Sequence, residues 1–135
     1  MASELVGKAA PDFEIELEDG SKKKLSAFLA EGKPVVIDFY ANFWPACGPA
    51  ASEMDKLAND HENITFIQVN LKGVADGKAY KSDKGLSSPK LIHAAGRPPN
   101  EYGLKYIPHK TIIGKDGVVI KNFEGVNLPA DVKSL

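Results

Sequence analysis

With 135 residues, 43% of them apolar and 26% charged, the chain has the size and composition of one soluble domain built on one core. Its net charge of -1, with Arg97 the only arginine among 17 basic residues, excludes the broad basic field that nucleic acid or an anionic membrane would require. Cys47 is the only cysteine, which excludes an intramolecular disulfide and a cysteine-based zinc cage; His61, His93 and His109 lack metal-ligand spacing, so no metal and no cofactor is expected.

Residues 1–11 read as a loose lead-in closed by Pro11, without the basic-then-apolar pattern of a signal peptide. No apolar run approaches the roughly 18 residues of a membrane span. Cysteine poverty fits a reducing compartment, so the expectation is a cytoplasmic monomer. "FEIELEDGSKKKL" alternates apolar and charged residues around Asp19-Gly20 and predicts a hairpin. Ser26 predicts the cap of a short helix ended by Gly32. "PVVIDFY" is a continuous apolar run of strand length, as a strand buried on both faces requires. Asp38 within it is the anomaly, because a lone carboxylate in a sheet is expensive without a task or a partner.

Residues 49–60 carry helical spacing, with Ala50, Met54, Leu57 and Ala58 on one face and Pro49 in a first turn. "ITFIQVNL" predicts a second interior strand. From Lys72 to Asn100 the chain is polar, and a helix is expected around "SPKLIHAAG", ended by Gly96 and Pro98-Pro99. This segment carries Lys72, Lys78, Lys81, Lys84, Lys90 and Arg97 against Asp76 and Asp83, which suits either an acidic partner or a solvated basic loop. "KTIIGKDGVVIKNFEG" predicts two strands joined through Lys115-Asp116-Gly117, and the tail a last helical turn near Pro129. The order of elements predicts a single α/β domain over 1–135 in which a βαβ unit precedes an antiparallel pair.

"DFYANFWPAC" resembles the thioredoxin active-site segment, Asp-Phe-Trp-Ala-x-Trp-Cys-Gly-Pro-Cys. Ungapped from Asp38, Tyr40 stands for the first Trp, Ala41 for the Ala, Phe43 for the second Trp, and Cys47 for the second Cys. "YGLKYIPHKTIIGKDGVV" resembles the family's second signature, which implies a cis proline at Pro108 facing the thiol. "VGKAAPDFEIELEDGSKKKLSAF" is similar to the lead-in of the branch that holds bacterial thioredoxin-like maturation proteins and peroxiredoxins, the TlpA-like and AhpC-TSA group. The resemblance covers most of the chain apart from 72–100. It implies a thioredoxin fold: a central mixed β-sheet flanked by helices, with an N-terminal β-hairpin extension.

Disulfide exchange needs an exposed thiolate at a helix N-terminus and a second thiol behind it to release the product. In the ungapped register the first position, at the helix mouth, is Trp44, an indole that cannot attack sulfur, and Cys47 is the resolving thiol one turn deeper. The resemblance makes Asp38 its proton acceptor, and it makes Pro108, with Ile107 and Phe43, the place where a peptide substrate lies. A second register reads "CGPA" with Glu53-Met54 as Cys-Gly-Pro-Cys-x-x-Glu-Met. There Cys47 would attack and Ala50 would replace the resolving cysteine. Either way no resolving pair exists. Three readings stay open: an oxidoreductase scaffold interrupted at Trp44, with protein disulfides or a reductase as partners; a non-catalytic binding module; and a one-cysteine antioxidant peroxidase. The last lacks the threonine that peroxiredoxins place three residues before the reactive cysteine. His109, beside Pro108, is expected at the surface, where it would be placed to tune a neighbouring thiol.

Overall fold

The computed structural model describes residues 1–135. Strands β1 (Glu14–Leu17) and β2 (Lys22–Lys24) form the hairpin, and α1 (Leu25–Leu29) follows. The β3 (Val35–Tyr40), α2 (Cys47–Asp60), β4 (Thr65–Asn70) unit is next, then α3 (Val74–Lys84) and β5 (Leu91–Ala95). Strands β6 (His109–Ile113) and β7 (Val119–Asn122) form the antiparallel pair, and α4 (Leu128–Asp131) runs into a closing 3-10 turn, Val132–Ser134. All seven strands form one mixed sheet in the order β2-β1-β5-β4-β3-β6-β7. Strand β3 pairs in parallel with β4 and antiparallel with β6. Being interior, it is buried at all six residues, which is why its sequence is continuously apolar.

Side chains alternate along a strand, so β3 sends Val35, Ile37 and Phe39 to one face and Val36, Asp38 and Tyr40 to the other. The first face packs with Ile67, Val69, Phe28 and Tyr102 into one apolar cluster. The second face lies under α2, α3 and α4, and it is tiered. Its lowest tier, Val36, Phe66, Leu91 and Ile112, packs against Met54 and Ala58 of α2. Its upper tier joins Tyr40 to Cys47, Ala51 and Tyr80. Between these apolar clusters the register places Lys110, Asp38, Gln68 and His93 side by side on four adjacent strands.

Several expectations need correction. The 72–100 segment is not a long connection: 74–84 form α3, and "LIHAA", expected in a helix, is strand β5 between β1 and β4. Short apolar runs fit either period, and here the open sheet position decides. Ser26 does not cap α1. Lys24 holds the N-cap position, and the carboxylate of Asp12 accepts from Ser26 N at 2.8 Å and Ser26 Oγ at 2.9 Å instead; the helix ends at Leu29, short of Gly32. The first residues are not loose, since Ala2 and Leu5 are buried in a 3-10 turn and Ala9 bridges Val118. His109 is fully buried, not at the surface, and lies on the opposite sheet face from Asp38 and Cys47. No helix is long and apolar enough to cross a membrane.

Candidate active site

Cys47 is the first residue of α2, and its exposure is 0%. The ungapped reading put the sulfur one turn inside the helix; it lies in the opening turn instead, hidden by Tyr40, Tyr80, Ala51 and Ile107. Trp44 stands three residues ahead, in the turn that enters α2, and is 52% exposed. Phe43 is 95% exposed and Tyr106 69% exposed. A hollow of about 350 Å³ lies beside Phe43 and Trp44, with Leu71, Lys72, Asp76, Arg97 and Ile107 in its walls. The Ile107-Pro108 peptide bond is cis. A hollow of about 470 Å³ at the far end of α2 is lined by surface charges such as Lys23, Glu31 and Glu62 and has no thiol near it.

The local backbone explains the thiol's character. A helix N-terminus favours a thiolate through unsatisfied N–H groups. Here Cys47 N donates to Trp44 O at 2.9 Å and Gly48 N to Pro45 O at 3.3 Å, and Pro49 has no N–H. The opening turn therefore has little left to offer an anion. Burial pushes the Cys47 thiol up, the nearby Asp38 charge adds to this, and the backbone of Ala41 and the Lys110 ammonium only partly oppose it.

Asp38 is fully buried. Burial raises its carboxyl to about 7, against a hydrogen bond from Gln68 Nε2 to Oδ2 at 2.6 Å and the Lys110 ammonium. Lys110 itself lies 4.0 Å from Glu53 of α2. Asp38 Oδ1 has no hydrogen-bond partner. A carboxyl that changes charge near neutrality beside a buried thiol is a competent proton acceptor. Around it the Tyr40 and Tyr80 rings lie 4.7 Å apart, both hydroxyls unpartnered and both pushed up to about 12 by burial.

The structure thus brings Asp38, Cys47 and Ile107 together around the upper tier and sets Phe43 and Trp44 at its rim. It removes His109 from the group: His109 Nε2 faces Asn122 Oδ1 at 2.8 Å, and its ring stacks on Phe123. Three participants escaped the sequence reading: Gln68, His93 and Tyr80. Gln68 had only a partial signal: it is polar inside the second interior run, but so is Asn70.

The sequence model of the AhpC/TSA family matches residues 6–122. This chain belongs to the AhpC/TSA family. Relatives include the thioredoxin-like protein YneN of Bacillus subtilis, 27% identical over 84% of this chain and 68% of that protein. They also include the thiol-disulfide oxidoreductase ResA of Geobacillus thermodenitrificans, 25% identical over 95% and 74%, and the thiol:disulfide interchange protein DsbE of Yersinia pestis, 28% identical over 88% and 64%. Among solved structures, the thioredoxin domain of a thiol-disulfide oxidoreductase from Bacteroides vulgatus superposes with a TM-score of 0.77 at 16% identity, covering 96% of this chain and 94% of that one. A thiol:disulfide interchange protein from a Bacteroides species reaches 0.79 at 16% identity, covering 99% and 89%. The fold is a thioredoxin fold, and this AhpC/TSA member has the scaffold of the thiol-disulfide oxidoreductases.

Proposed function

We propose that this chain is a thiol-disulfide oxidoreductase scaffold in which exchange is interrupted at Trp44. Cys47 takes the place of the resolving thiol and Asp38 is its proton acceptor. Peptide substrates lie along the Pro108 loop, against Ile107 and Phe43. The observation that carries this reading is the contrast between a fully buried Cys47 and a half-exposed Trp44 three residues ahead of it. Attack on a disulfide needs an exposed thiolate, and only position 44 has the exposure. The spent donors of the opening turn and the raised thiol weigh against Cys47 as a peroxide-reducing or attacking group.

Insulin disulfide reduction tests it. The chain as it stands is expected to give no turnover, and Trp44→Cys to give catalytic reduction. A folded Trp44→Cys protein without turnover would remove the reading. Alkylation of Cys47 by iodoacetamide is expected to be slow at pH 7 and to accelerate only above pH 9, the thiol's ordinary value from which burial lifts it.

A second reading, a binding module without exchange chemistry, is favoured by one specific feature. Two large aromatic side chains, Phe43 and Trp44, remain in water at one hollow, and such patches mark contact sites. The acidic partner suggested by 72–100 narrows here to Lys72 and Arg97, the two cations of that hollow. Titration with acidic, aromatic-containing peptides, followed by the fluorescence of the single Trp44, separates this reading from the first.

A further inference from the structure

The polar tier beneath α2 does not end at Asp38. Asp38 on β3 is the register partner of Gln68 on β4, and Gln68 is the register partner of His93 on β5. Equal parity puts all three on the same face, under α2 and α3. Asp38 and Gln68 are 0% exposed and His93 4%. Gln68 Nε2 donates to Asp38 Oδ2 at 2.6 Å. That bond fixes the amide, because a glutamine has one donor end and one acceptor end. Gln68 Oε1 is left buried without a partner, and so are both ring nitrogens of His93. Orphaned polar atoms in a low-dielectric interior are costly, and here three of them sit on two neighbouring residues, next to a carboxyl whose Oδ1 is itself unpartnered.

We propose that Gln68 is a positioning residue that couples the protonation of Asp38 to the tautomer of His93. With Asp38 ionised, Gln68 keeps Nε2 on the carboxylate and turns Oε1 toward β5, where it accepts from an imidazole N–H. When the thiol proton arrives on Asp38, its new O–H needs an acceptor. The Gln68 amide turns over, gives Oε1 to Asp38 and presents Nε2 to the bare nitrogen of His93. The imidazole stays neutral: one nitrogen gives its proton to solvent water and the other takes a proton from solvent, in brief openings of a ring that is 4% exposed. The inference rests on Asp38 as the thiol's proton acceptor and adds the far end of that network.

The electrostatic surroundings are compatible with a neutral His93. Burial lowers its basicity first, Lys81 of α3 lowers it further, and Glu18 after β1 and Asp55 of α2 oppose them. Asp38 is faced by Lys110 of β6, by Glu53 and Cys47 of α2, and by Tyr40 of its own strand. The β5 side of the tier therefore holds a ring that can exchange tautomers without taking on charge.

The test is an NMR titration of the full chain from pH 5 to 9, following the Asp38 carboxyl carbon, the Gln68 side-chain amide and the two ring nitrogens of His93. The expected result is an inflection of the His93 nitrogens at the Asp38 midpoint, the two moving in opposite directions as a tautomer exchange demands. Flat nitrogens there, or both moving together as simple protonation dictates, would overturn the proposal with no variant needed. In Gln68→Met the His93 inflection should vanish and the Asp38 midpoint should rise, since the donor to the ionised form is gone; an inflection that persists would also overturn it. The thiol is read separately, by the alkylation profile of Cys47 in Asp38→Asn. A profile unchanged from the parent would remove Asp38 as proton acceptor and leave the measured Asp38–His93 coupling standing.

Discussion

The two faces of the central sheet solve the burial of polar groups in opposite ways. On the α1 side, Asn122 is saturated: its Nδ2 donates to Ala2 O and Tyr102 O, and its Oδ1 accepts from Thr111 Oγ1 and faces His109 Nε2. Because Nδ2 is committed to two carbonyls, Oδ1 can only accept, so His109 Nε2 carries the proton. Tyr102 OH donates to Pro11 O at 2.7 Å. On the α2 side, six of the seven unpartnered buried side-chain atoms gather around Asp38, Gln68, His93, Tyr40 and Tyr80. One face is satisfied apart from His109 Nδ1 and holds the fold; the other keeps six unsatisfied atoms beside the thiol. Local violations of packing rules concentrate at functional sites, and here the same sheet supplies the control.

The contrast breaks most readily at Asp38. A carboxyl raised from 3.8 to about 7 costs the ionised fold roughly 4 kcal/mol. The folded state holds this proton more tightly than the unfolded one, so stability falls as pH climbs from 3.8 through about 7 and levels off above. Asp38→Asn should therefore stabilise by about that amount in urea unfolding at pH 8, with the gain fading toward pH 4. An equal effect at both pH values would show that the carboxyl is not penalised by burial.

On the satisfied face the sign reverses. Asn122→Ala strands two carbonyls, a threonine hydroxyl and an imidazole N–H, and should cost about 3 kcal/mol. The loss should be the same at pH 7 and pH 9, and urea unfolding at both checks it. A stabilised variant would erase the difference between the faces.

A smaller cost is expected at Gly103, which has φ +64° and lies so close to the N-terminal turn that an added Cβ would meet Ala2 N at 2.6 Å. Gly103→Ala should lose about 2 kcal/mol. It should also expose residues 1–5 to proteolysis; unchanged cleavage would mean that the N-terminal turn does not depend on this contact.

The smallest effect belongs to the remote cap of α1. Slight desolvation works against the exposed Asp12 carboxylate, yet donation by Ser26 N, Ser26 Oγ and Phe13 N holds it below its ordinary 3.8. Asp12→Ala should cost about 1 kcal/mol. The contribution is present above pH 3.8 and is lost as pH falls through the depressed value. Thermal unfolding of parent and variant should converge in acid.

Where local pattern and tertiary demand agree, the fold was legible. The buried run at 35–40 had to be interior, because only a strand paired on both sides hides every residue. The Asp19-Gly20 and Lys115-Asp116-Gly117 turns declared their hairpins by residue type. The β5 run did not, since four apolar residues around one histidine carry no decisive period, and the gap between β1 and β4 made them a strand. At the site, Asp38, Cys47, Trp44 and Pro108 were legible because each is anomalous in its own segment. Gln68 and His93 were not, because their meaning lies in the neighbour across the sheet.

The amino-acid order alone determined the two hairpins, the interior strands β3 and β4 with the helix between them, the lone sulfur and the indole three residues before it. These are properties of segments, set by periodicity, turn chemistry and residue type. Only the tertiary structure decided that the thiol is sealed, that His109 faces away from it, and that Asp38 shares a row with Gln68 and His93. Burial and cross-strand register depend on which distant strands meet, and no window of sequence contains that information.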